Sequence, residues 1–146
     1  MKQTNPQRLP QLLGYLGLLP FIVPSFFLLY DPEHAIVWRD LLLSYAAVIL
    51  SFVGALHWAF AMTLDDLSEK SRRWLYVWSV IPALAGWVAL ALPAWHGALL
   101  MAMVFALNLL QDIHLCRMAD IPAWYLPLRR NLSSVASACL TYSTLA

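Results

Sequence analysis

Gly97-Ala98-Leu99-Leu100-Met101-Ala102-Met103-Val104-Phe105-Ala106-Leu107 opens the stretch that decides the fold. It turns polar at Asn108, Gln111, Asp112 and His114, and closes with Pro122-Ala123-Trp124-Tyr125-Leu126-Pro127-Leu128-Arg129-Arg130. The opening run is apolar on every side, so a helix built from it needs apolar surroundings all round. Asp112 is the one acidic residue inside a prospective membrane span. A carboxylate there is costly to expose to lipid, so it must face other helices and find a partner. The candidates are His57, Arg117 and Arg129. Asn108, Gln111 and Asp112, spaced i, i+3 and i+4, fall on one helix face.

Composition sets the same environment. Of 146 residues, 62% are hydrophobic and 12% charged, with mean hydropathy +0.67. An ordinary soluble domain carries about 25% charged residues, so lipid has to cover most of this surface. No basic stripe is present to track phosphates, which excludes nucleic acid as a partner. Cys116 and Cys139 fall on different segments at different depths; no disulfide is expected, and the ligands are too few for a zinc site.

Working outward, five segments have the character of spans: 11–30, 41–63, 74–92, 95–115 and 131–146, all within a single domain. Residues 1–10 read as a short polar tail. The first segment follows Lys2 and Arg8 as a signal peptide would. It is long enough to span and has no small-x-small cleavage site before Asp31, so an uncleaved helix kinked at Pro20 and Pro24 is expected. In the second, Ser44, Ala47, Ser51, Gly54 and Ala55 form a small-residue stripe of the kind that lets helices touch in lipid. The charge-dense residues 64–73 predict an aqueous loop. Trp74, Tyr76 and Trp78 then suit a membrane surface. The turn at 92–97 is tight, so the third and fourth segments form an antiparallel hairpin. The prolines at 122 and 127 predict that no long helix forms across 122–130. That leaves the fifth segment about 24 Å long, short of a ~30 Å hydrocarbon core unless preceding residues contribute.

Lys and Arg settle the orientation. With the N-terminus inside, the inner face carries Lys2, Arg8, Lys70, Arg72, Arg73, Arg117, Arg129 and Arg130, and the outer face Arg39 alone. That asymmetry is the positive-inside pattern.

His57 then lies about 24 Å inward from Leu41, and Asp112 about 22 Å inward from Gly97, so the two are level. The Trp124–Tyr125 pair with Arg129 suits the head-group layer, as an anchor or as a site for a lipid or quinone head group. His57 and His114 invite comparison with a haem site. His114, however, lies about 200° around the helix from Asp112, so both cannot point at His57, and no cofactor is expected. No Ser-His-Asp order, phosphate loop, metal motif or paired-carboxylate spacing appears, and the chain reads as non-enzymatic.

Pro20-Phe21, Ser44-Tyr45, Gly54-Ala55-Leu56-His57-Trp58, Asp112, and Pro122-Ala123-Trp124-Tyr125 with Leu128-Arg129 resemble the domain of unknown function 3429 family over nearly the whole chain. These are small bacterial membrane proteins related to mitochondrial transmembrane protein 69. The resemblance implies an inner-membrane, five-helix protein and no particular activity. It also gathers His57, Trp58, Asp112, Trp124, Tyr125 and Arg129 into one cluster.

The expectation is therefore an all-α bundle of five transmembrane helices, multi-pass in a cell inner membrane, N-terminus inside and C-terminus outside. It binds a partner protein, within a membrane complex, or a lipid- or quinone-like ligand at the cytoplasmic leaflet. The binding residues would be His57, Trp58, Asn108, Gln111, Asp112, Trp124, Tyr125 and Arg129. The alternative is a small proton or ion conduit using Asp112 and His57.

Overall fold

The computed structural model describes residues 7–146, and all regular structure among them is helical. The first expected span is two helices, α1 (Arg8–Leu16) and α2 (Leu19–Tyr30), parted at Gly17 and Leu18. The chain is thus broken ahead of the prolines, where a single kinked helix is predicted. Pro20 sits in the first turn of α2, where a missing N–H costs nothing, and Pro24 is accommodated inside the helix. The break frees the Gly17 carbonyl, to which the Tyr45 hydroxyl donates at 2.8 Å. Of the expected polar tail, residues 1–6 with Lys2 lie outside the described residues, whereas Arg8, Leu9 and Pro10 already belong to α1.

Between α2 and the next helix, Asp31 accepts hydrogen bonds from the rings of His34 (2.9 Å) and Trp38 (3.0 Å). These bonds, His34 first, hold the Asp31 carboxyl below the usual carboxylate value. A depressed carboxylate contributes stability that is complete above its unfolded pKa and lost as pH falls through the folded one. Trp38 fluorescence should therefore change on acidification below about pH 4, and Asp31→Asn should abolish that transition.

A single turn (Pro32–His34) leads into α3 (Ala35–Thr63), whose 29 residues make it about 43 Å long. It begins ahead of the predicted boundary at residue 41, and it is the most buried of the long apolar helices. Only part of the predicted small-residue stripe touches a neighbour. Ala47 lies against Gly86 and Gly54 against Pro82 of α4 (Glu69–Leu90), while Ser44, Ser51 and Ala55 are exposed. A Cβ at Gly54 would stand 2.6 Å from the Ser79 carbonyl oxygen. Gly54→Ala must push two backbones apart, and a loss of about 1–3 kcal/mol is expected in reversible detergent denaturation.

The charge-dense segment 64–73 is only half loop. Ser68 accepts the Ser71 N–H at 3.1 Å as the N-cap of α4, and Glu69 complements the positive end of the dipole. Arg72 reaches back from the first turn of α4 to the Ala61 and Leu64 carbonyls and satisfies the free acceptors ending α3. Capping at both places pulls the charges into structure, so α4 starts five residues before the predicted Trp74 and ends at Leu90.

α5 (Ala94–Met118) follows after a tight turn, close enough that Gly97 meets the Ala89 backbone. The last helix, α6 (Tyr125–Ser143), begins where the prolines were expected to prevent one. Pro127 falls in its first turn, which needs no N–H from it. With 19 residues α6 is about 28 Å long, close to the hydrocarbon thickness.

Among the described residues, four helical stretches are long and apolar enough to cross a membrane: Arg8–Tyr30, Pro32–Thr63, Glu69–Leu90 and Ala94–Met118. Their outward faces carry Ile22, Phe26, Val48, Phe52, Leu84, Trp87, Met103 and Leu110, all exposed. A belt of that size is unsustainable in water and ordinary in lipid. Inside, α2, α3, α5 and α6 enclose an apolar core around Phe21, Leu42, Leu50, Met101, Phe105 and Leu140. Phe21 stands edge-on to Tyr45 and Phe105, with ring centroids 5.1 and 5.9 Å away. A smaller cluster, Ala61, Leu67, Leu75 and Leu115, closes the other end.

Candidate functional site

The sequence positions of the two apolar clusters leave a gap. On α3, Val53 belongs to the larger and Ala61 to the smaller; on α5, Phe105 and Leu115 mark the same two boundaries. His57 and Asp112 occupy the level between, and both side chains are fully buried. Arg129 Nε donates to Asp112 Oδ2 at 2.8 Å, and the Tyr125 hydroxyl donates to Oδ1 at 2.9 Å. Because α6 starts at Tyr125, these two donors stand one turn apart on the same face. His57 Nε2 lies 3.3 Å from Oδ1 without the alignment of a hydrogen bond, while Nδ1 faces the Val53 carbonyl at 3.2 Å.

Asp112 is thus enclosed by protein, with both of its hydrogen bonds coming from α6 and the His57 ring of α3 lying against Oδ1. A buried pair of this kind is weak evidence of net stability, because desolvation offsets the attraction. Once formed, however, it fixes the geometry of the groups around it. The proton count is also informative. If Nδ1 donates to Val53, a neutral His57 ring turns a lone pair toward a carboxylate oxygen, so a proton at that contact would have to be carried by Nε2 or Oδ1.

The structure brings four of the eight predicted residues together around Asp112: His57, Asp112, Tyr125 and Arg129. Trp124 stands beside them, its ring 6.4 Å from that of Tyr125. Three predicted residues are elsewhere. The Asn108 side-chain oxygen accepts from Trp78 Nε1 at 3.0 Å and that of Gln111 from Trp74 Nε1 at 3.1 Å, so both amides tie α5 to α4. Trp74 and Trp78 therefore work inside the bundle as well as at its surface. Trp58 is 48% exposed and packs edge-on against Tyr76, away from Asp112. Arg117 is exposed and makes no contact with Asp112, and His114 sits on an exposed face of α5.

One feature escaped the sequence reading. A cavity of about 370 Å³ opens between α1, α2, α3, α5 and α6, with Leu13, Phe21, Ile49, Phe52, Phe105 and Leu132 among its apolar walls. Tyr125, Leu128, Arg129, Leu132, Ser133 and Ala136 all line it from α6, at spacings of three and four residues. That pattern is legible once the helix is started at Tyr125; starting it at Asn131 cuts the face in half. Trp124 lines the cavity as well, whereas Asp112 and His57 stand behind Arg129 and Tyr125. Arg129 Nη2 and Ser133 Oγ are buried without hydrogen-bond partners among the described residues.

An all-helical bundle with a lipid-suited belt, an internal ion pair and an apolar cavity beside it defines an integral membrane protein with a buried polar centre. The chain belongs to the family described as "Protein of unknown function (DUF3429)", which matches residues 6–145. It is 32% identical over 131 residues to Transmembrane protein 69 of Xenopus tropicalis, a match covering 85% of this chain and 49% of that protein. The chain thus spans about half the length of that relative. No solved structure matches it.

Proposed function

We propose that this protein is a non-enzymatic membrane binder that holds a lipid- or quinone-like ligand, alone or within a larger membrane complex, at the cytoplasmic leaflet of a bacterial inner membrane. In this reading α1 and α2 together make the first span and α6 the fifth, with the N-terminus inside and the C-terminus outside. The Lys and Arg asymmetry supports that orientation. The observation that carries the proposal is Arg129: it is fixed by Asp112 from behind and lines an apolar cavity in front. Cavities of this size and lining, with a few convergent polar groups, are the usual form of small-molecule sites. Asp112 and Tyr125 act as positioning residues, and Trp124 forms part of the wall.

The 3.3 Å approach of His57 Nε2 to Asp112 Oδ1 favours a second reading, a proton relay. Phe21, Leu50, Met101 and Phe105 stand between that contact and the far end of the bundle, all essentially inaccessible and all apolar. A relay needs polar groups or water there, so binding ranks first.

Native mass spectrometry of the protein released directly from its own membrane tests the proposal. Wild type is expected to carry a discrete extra mass that weakens in Asp112→Asn. A bare wild-type chain would overturn the binding role, and proton flux in liposomes would then be the measurement of choice.

A further inference from the structure

We infer that the cavity beside Arg129 takes one neutral amphipathic molecule headed by a carbonyl oxygen, with that oxygen on Arg129 Nη2 and Ser133 Oγ and its tail along the apolar walls. This deepens the binding role proposed above and rests on it. Arg129 is 5% exposed and Ser133 2% exposed, both line the cavity, and each keeps a covered polar atom with no partner among the described residues, which a carbonyl oxygen reaches as the two side chains shift toward the cavity. Native interiors rarely leave such groups unmet. A guanidinium can only donate, so whatever meets Nη2 must be an acceptor; the serine hydroxyl can donate to the same oxygen.

Charge narrows the class. Asp112 already neutralises Arg129 at 2.8 Å. A second anion would add uncompensated negative charge to a water-poor site, which is costly. A carbonyl offers the lone pairs without the charge, as the head of a quinone or the ester of an acyl glycerol does.

Geometry narrows the route. Leu13 of α1 and Phe52 of α3 both line the cavity and are 59% and 61% exposed. The mouth therefore lies on the lipid-facing side, between α1 and α3, and the ligand enters from the bilayer tail-first or sideways, never through water.

The test uses the full chain in lipid nanodiscs and four probes: decylubiquinone, monoolein, oleate and dodecane. Saturable binding of decylubiquinone or monoolein is expected, weakened about tenfold in Ser133→Ala, the worth of one hydrogen bond. Leu13→Trp, a rim substitution that leaves Asp112 and Arg129 untouched, should slow entry of the same probe. Preference for decylubiquinone over monoolein would assign a quinone, and the reverse an acyl ester. Dodecane binding as tightly as either, oleate binding tightest, or Ser133→Ala without effect would each overturn the assignment. A membrane-derived mass on wild type that neither carbonyl probe displaces would also overturn it while leaving the binding role standing. A wild type that emerges bare would remove both.

Discussion

Asp112→Ala is expected to lose about 3–5 kcal/mol of stability in reversible detergent denaturation. The cause is what remains behind. Arg129 stays 95% buried, to judge from its 5% exposure, with its charge unanswered. Tyr125 loses the acceptor 2.9 Å from its hydroxyl. The bundle would have to admit water or open α6 to relieve either group. Asp112→Asn keeps the shape and one acceptor oxygen, so its cost should fall between wild type and alanine. If Asp112→Ala keeps its denaturation midpoint, the pair is not desolvated and the structural role assigned here is wrong.

The second large effect is a recovery. Replacing the pair and its donor together, as Asp112→Leu with Tyr125→Phe and Arg129→Met, removes every strongly polar group of the cluster except His57. Exchanging a buried ion pair for apolar residues of similar volume is often neutral, or stabilising by about 1–4 kcal/mol, because the desolvation penalty disappears with the charges. The triple variant should therefore regain most of the stability lost in Asp112→Ala. It should also emerge from its membrane without the extra mass, since no guanidinium remains at the cavity. Stability and binding are expected to part company here. A triple variant that is stable and still carries the wild-type mass would show that Arg129 is no part of the site.

Much of this molecule could be read without coordinates, and the places where reading failed have local causes. Helix ends depart from composition where capping overrules it. The charged residues 69–73 look like loop until Ser68 caps them and Arg72 closes the end of α3. Pro127 looks like a breaker until it is seen in a first turn, where no N–H is needed from it. Spacing alone groups Asn108 and Gln111 with Asp112. Gln111 and Asp112 lie about 100° apart around α5, room enough for two different neighbours. α4 meets the amides with its indoles, and α3 and α6 meet the carboxylate.

Residue chemistry alone makes the chain helical and suited to a membrane, and turns Asp112 inward. Those conclusions need only the cost of charge in hydrocarbon and the hydropathy of long runs, and both are properties of residues one at a time. Which cation answers Asp112 follows from helix packing. So do the outward turn of Trp58 and the cavity that α1, α3 and α6 leave beside Arg129. Those outcomes depend on how helices rotate and cross relative to one another, which is fixed by contacts between residues far apart in the chain, such as Gly54 on Pro82 and Tyr45 on Gly17.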